Sequence, residues 1–168
     1  MPIFHTIHGT GLMEGGSFLW LNEHTAVVFV GQRSNAEGAR QLGEVLKMLG
    51  VELVCVDNTG YGLHIDCSIV KVDVDKALVF VQDLPWWFLV PLKESGIQLI
   101  DADPRDGGMG VNCLAVKPGR VIMSSHARYS ADQLDQNGAE VVTVDFDETF
   151  TGGGGVNCST FPLIRDNI

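Results

Sequence analysis

Four short stretches carry the side chains from which a reaction could be built. They are "MEGGS" with Glu14, "HIDCS" with His64 and Asp66, "VNCLAV" with Asn112 and Cys113, and "VNCST" with Cys158. A cysteine attacks as its thiolate, so its ordinary pKa of about 8.5 must be lowered by a nearby positive charge such as protonated imidazole or a cationic substrate. Two carboxylates can bracket a planar guanidinium through paired, charge-assisted hydrogen bonds. A histidine can protonate a departing amine and then activate water. Thiol, imidazole and two carboxylates together suit covalent catalysis on a cation. Each also has an ordinary reading alone: Glu-Gly-Gly as a turn, His-Ile-Asp as a strand start, a buried cysteine as inert packing.

What could gather these residues is a repeat. "GVELVCVD" from Gly50, "GIQLIDAD" from Gly96 and "GAEVVTVD" from Gly138 align without gaps, their starts 46 and 42 residues apart. A period of that size marks a repeated supersecondary unit. In the first unit "SFLWL" and "TAVVFV", joined by "NEH", read as a hairpin. "SNAEGARQLGEVLKMLG" then reads as a helix, with Ser34 as its cap, Glu37 as capping-box partner and Gly50 closing its end. The second unit repeats the order, although Pro91 in "PWWFLVPLKES" weakens the helix there. In the third, "KPGR" marks the hairpin turn and "SADQLDQNG" a short helix.

The expected fold class is therefore α/β, built of ββαβ units over about 14–57, 64–103 and 111–145, with 152–168 as the start of a fourth, all within one domain spanning 1–168. Asn112–Cys113 and Asn157–Cys158 then fall at equivalent places, the start of the first strand in successive units. The glycines before them suit a close-packed approach to that strand. If the units surround an axis, Glu14, His64, Asp66, Asn112 and Cys158 converge on its middle.

Composition narrows the partners. Hydrophobic residues make up 45% of the 168 and charged ones 19%, which disfavours disorder. The formal charge of −10 argues against nucleic acid and would attract a small cation. The N-terminus has no signal-peptide pattern, and no apolar run approaches the roughly 20 residues needed to span a bilayer, so no membrane association and a cytoplasmic location are expected. The four cysteines lack C-x-x-C spacing and read as free thiols; no zinc-finger spacing appears, and neither metal nor cofactor is expected.

These motifs resemble those of the guanidino-group-modifying, or pentein, superfamily, which includes arginine deiminase, dimethylargininase and glycine amidinotransferase. "EGGSFLWL" with "FVGQRSNAEG" is similar to its Glu-Gly-Gly-Asp hairpin and Arg-Thr/Ser-Asn turn. "HIDCSIVKVD" is similar to its His-x-Asp strand, "NCLAVKPGRVIM" to its Asn-x-Leu-x-x-x-Pro-Gly strand, and "GGGGVNCSTFPLIRD" to its nucleophile strand. The resemblance runs in order from Glu14 to Asp166. It implies a fan of five ββαβ units, an α/β-propeller, of which this chain holds three and the start of a fourth. It also implies Cys158 as the nucleophile forming a thiouronium intermediate, His64 as general acid and base, and Glu14 and Asp66 on the guanidinium nitrogens. Arg33 is placed to bind a substrate carboxylate, or is a solvated charge, and Asn112 lines the substrate site.

Water as acceptor would make the chain an arginine-deiminase-like hydrolase, and an amine an amidinotransferase; a non-catalytic binding or assembly protein on the same scaffold is the alternative. Ser17 and Asn157 depart from the family's usual Asp and His. The relatives' N-terminal units, which supply a further guanidinium-binding Asp and part of the carboxylate pocket, have no counterpart. The expectation is a C-terminal part of such an enzyme, truncated or one half of a split one. It would associate with itself or with the missing half, and bind a small guanidino compound.

Overall fold

The computed structural model describes residues 3–58 and 62–162. They belong to two compact units, Met1–Ile65 and Asp66–Ile168. The stretch "LIRD" in the nucleophile-strand resemblance lies outside the described residues.

The first unit contains strands β1 (Phe18–Asn22), β2 (Thr25–Val30) and β3 (Glu52–Asp57) with helix α1 (Ala36–Met48) between the last two. β1 and β2 pair antiparallel as a hairpin, while β2 and β3 pair parallel from Thr25↔Glu52 to Val30↔Asp57. A parallel pair needs a crossover, and α1 supplies it. Ala26 to Phe29 are all buried, which is why this central strand reads as an unbroken apolar run. Leu42 and Leu46 of α1 pack with Ala26, Val51, Phe18 and Leu53.

The second unit contains two copies of the same order. β4 (Ile69–Lys71), β5 (Lys76–Val79), α2 (Trp86–Glu94) and β6 (Gln98–Asp101) form one; β7 (Leu114–Lys117), β8 (Arg120–Ser124), α3 (Arg128–Gln136) and β9 (Glu140–Val144) form the other. Each sheet has three strands in sequence order, antiparallel then parallel. The two copies share a core of Val70, Val72, Leu78 and Ile100 with Val111, Cys113, Met123 and Leu134. The tip of the β7–β8 hairpin docks on the other copy, where the Gly119 N–H donates to the Val72 carbonyl at 2.9 Å.

The three aligned glycines have one cause. Gly50, Gly96 and Gly138 each follow a helix with φ of +75°, +89° and +86°. In each case the glycine N–H and the next N–H turn back onto the last carbonyls: Gly50 to Lys47 and Val51 to Leu46, Gly96 to Lys93 and Ile97 to Leu92, Gly138 to Asp135 and Ala139 to Leu134. This is the Schellman closure, and its left-handed residue favours glycine.

Three local expectations need correction. The cap of α1 is Asn35, not Ser34: Asn35 Oδ1 accepts from the Gly38 N–H at 2.8 Å, and Ser34 Oγ instead accepts from the Glu14 N–H. Glu37 does not return to the cap, because Arg40 and Gln41 hold its carboxylate. Pro91 sits inside α2 without ending it; the helix is only nine residues long, and the missing donor leaves one carbonyl unpaired by the helix ladder. Finally, 152–162 form no strand. Ser159 and Thr160 bond back to the Gly155 and Asn157 carbonyls, so local turns take the groups a ladder would use. A short helix, α4 (Asp147–Thr151), precedes this turn.

Candidate functional site

In the first unit, Glu14, Arg33 and His64 come together. The segment carrying Glu14 is fastened to the start of α1 by three contacts. Asn35 Oδ1 accepts from the Leu12 N–H at 2.9 Å, Asn35 N–H donates to the Leu12 carbonyl at 3.1 Å, and Ser34 Oγ takes the Glu14 N–H at 3.1 Å. Gly38 makes the approach possible, since a Cβ there would fall 2.0 Å from the Leu12 carbonyl oxygen. Glu14 Oε2 then lies 2.7 Å from His64 Nε2 and 3.4 Å from Arg33 Nε. Gly16 explains the second glycine of "MEGGS": a Cβ at that position would stand 2.7 Å from His64 Nδ1, so the ring fits only over a bare backbone. Arg33 is thus paired with Glu14, with nearly half its side chain exposed.

In the second unit, Asp66, Asn112 and Cys158 come together. Cys158 is exposed on the turn after α4. The Asn112 side chain, only 2% exposed, donates from Nδ2 to Cys158 Sγ at 2.9 Å and accepts the Asn157 N–H on Oδ1 at 2.8 Å. Asn157 in turn donates from Nδ2 to Asp66 Oδ2 at 3.0 Å. The glycine run is needed here at two of its four positions. Gly153 has φ +87°, and a Cβ on Gly155 would lie 2.4 Å from Asn112 Oδ1.

Two residues of this cluster were missed as site residues from sequence. Cys67 lies with its sulfur 3.6 Å from Asp66 Oδ1, and its hydrogen bond with Cys158, its burial and the Asp66 charge all push its thiol well up. Its signal was the Cys directly after His-x-Asp. Asn157 was visible only as a departure from the family pattern. Cys113, by contrast, is fully buried in the core and burial pushes its thiol up to about 12, so the repeated Asn-Cys phrase supplies one exposed thiol and one packed one. Among the described residues, no group of three or more His, Cys, Asp or Glu side chains could hold a metal ion, and no helix is long and apolar enough to cross a membrane.

Glu-Gly-Gly, His-x-Asp and Asn-Cys motifs on repeated ββαβ sheets make the chain similar to one class, the guanidino-group-modifying, or pentein, superfamily. Within it, the family model described as arginine deiminase matches residues 93–165. A curated arginine deiminase from Listeria monocytogenes is 28% identical over 195 aligned positions, covering 93% of this chain and 48% of the relative. The chain therefore spans about half the length of the curated relatives it matches. Among solved structures, the inosamine-phosphate amidinotransferase of Streptomyces griseus superposes with a TM-score of 0.79 at 18% identity, over 94% of this chain and 48% of that one. A dimethylarginine dimethylaminohydrolase from Pseudomonas aeruginosa, a cysteine-to-serine mutant complexed with citrulline, gives 0.75 at 23% identity over 90% and 56%.

Proposed function

We propose that the chain carries the nucleophile half of an arginine-deiminase-like enzyme acting on the carbon of a guanidino group. The observation that carries this reading is Cys158: an exposed thiol on a glycine-shaped turn, its sulfur accepting from a buried amide, on a turn tied to the Asp66 carboxylate. The Cys158 thiolate attacks the guanidinium carbon and forms a C–S bond. The C–N bond to the leaving amine breaks as His64 delivers a proton to it. Water then adds to the thiouronium carbon and gives one proton to His64; the second leaves to the released amine or bulk water as the C–S bond breaks, freeing a ureido product and the thiolate. Glu14 and Asp66 hold the guanidinium nitrogens, and Arg33 binds a substrate carboxylate once released from Glu14. An amine in place of water gives amidino transfer through the same intermediate.

On this reading the ββαβ units belong to a propeller-like fan, and the chain associates with a second copy of itself or with a partner chain. Sedimentation should show association at high concentration; a clean monomer removes that part. The activity test is incubation with arginine, agmatine and methylated arginines, with and without an added amine. Ureido or amidino product that disappears in Cys158→Ala supports the reading. Product unaffected by that substitution overturns it.

A further inference from the structure

Asn112 has a fixed orientation that the reaction scheme above does not require. Its Oδ1 faces the backbone N–H of Asn157 at 2.8 Å, and a backbone N–H can only donate. The oxygen must therefore point there, and the NH2 group must point at Cys158 Sγ, 2.9 Å away. An amide nitrogen donates and has nothing with which to accept. The sulfur is thus held as an acceptor, a role a thiolate fills better than a thiol.

The surroundings hold this arrangement in place. Asn112 is 2% exposed between Val111 and Cys113, both fully buried. Gly155 leaves no room beside its Oδ1 for a side chain, and Asn157 fastens the far side of the turn to Asp66. Within this unit, the titratable groups facing the sulfur are Cys67 and, one bond further, Asp66; the Cys113 thiol lies in the core. Cys67 keeps its proton, with its S–H facing Asp66 Oδ1, and so sets no competing charge beside Cys158.

We propose that Asn112 is a positioning residue for Cys158, donating from its buried side-chain amide to the sulfur so that the thiolate forms and points out of the turn. This rests on reading Cys158 as the nucleophile, and it changes the place of Asn112 from substrate contact to nucleophile support.

The test reads the sulfur without any guanidino substrate, so it stands apart from the activity assay. The pH dependence of Cys158 alkylation by iodoacetamide is followed by peptide mapping in the parent chain, Asn112→Ala and Asn112→Asp. Losing a hydrogen bond to a charged acceptor should slow alkylation near pH 7 by about tenfold to a hundredfold in the alanine variant. Its midpoint should move up correspondingly, and further in the aspartate variant, which sets a carboxylate beside the thiolate. An unchanged midpoint in a folded Asn112→Asp variant overturns the proposal. If both variants fail to fold, the side-chain amide protons of Asn112 are followed by NMR in the parent chain. They should shift as Cys158 titrates, and resonances that stay still over that range overturn the proposal equally.

Discussion

Adding one methyl group at Gly155 should damage both stability and thiol chemistry. A Cβ built there lies 2.4 Å from Asn112 Oδ1, 2.5 Å from its Cγ and 2.9 Å from its Cβ. Ordinary contact begins near 3.4 Å, so Asn112 would have to retreat by about 1.0 Å. It has nowhere to go, because it is 2% exposed and its chain neighbours Val111 and Cys113 are fully buried. Overpacking of this kind costs about 1–3 kcal/mol, and the two hydrogen bonds of the Asn112 amide are worth about 1 kcal/mol each. The stiffer unfolded chain returns about 0.4–1 kcal/mol. Gly155→Ala should then destabilise the fold by about 2–5 kcal/mol, a fall in Tm of about 4–18 °C for a chain of this size. Gly154→Ala is the control, since its Cβ would sit 3.7 Å from Cys158 Cβ in ordinary contact. Thermal melts of the three proteins decide it. A Gly155→Ala chain that melts with the parent, or a Gly154→Ala chain that suffers as much, would refute the reasoning.

Further outcomes follow from the same geometry. Gly16→Ala should displace the His64 ring by about 0.7 Å, from a built contact of 2.7 Å toward 3.4 Å, and disturb its 2.7 Å bond to Glu14. Imidazole NMR should show the change while melting moves by only about 1–3 kcal/mol; an unmoved ring signal counts against the Glu14–His64 assignment. At pH 8 a thiol reagent should label Cys158 on native protein and leave Cys113 untouched until unfolding, with the reverse order contradicting the burial argument. Cys113 also predicts an alkaline weakness. Its folded pKa, about 12, lies above the ordinary thiol value, so the folded state holds the proton more tightly. That stability is complete below pH 9 and lost as pH rises toward 12. Cys113→Ala should flatten the fall of Tm between pH 9 and 11, and an unchanged slope would contradict it.

Much of the fold is legible in the sequence because its causes are local and repeated. A helix closed by a left-handed glycine and followed by a short apolar strand leaves the same phrase at Gly50, Gly96 and Gly138. The same locality misleads at the cap of α1. Ser34 and Asn35 are both competent caps by type, and the choice depends on Leu12 and Glu14, 23 and 20 residues away in sequence. Side-chain roles are less legible for the same reason. Asn112 and Cys113 differ by one position, yet one faces the Cys158 turn and the other the core. Cys67 becomes relevant only because Asn157 ties its neighbour Asp66 to a turn 91 residues further on, a pairing no spacing rule encodes. Apolar and small residues at Gly155–Thr160 fit strand and turn alike, and the bonds to the Gly155 and Asn157 carbonyls decide for the turn.

The central claim is that Cys158 bonds covalently to a guanidino carbon. It is tested most directly by mixing the chain with arginine, quenching in acid and mapping peptides by mass. The account predicts an adduct on Cys158 equal to arginine less one ammonia, lost on longer incubation and absent in Cys158→Ala. The same adduct on Cys67 or Cys113, or its persistence in Cys158→Ala, would contradict it.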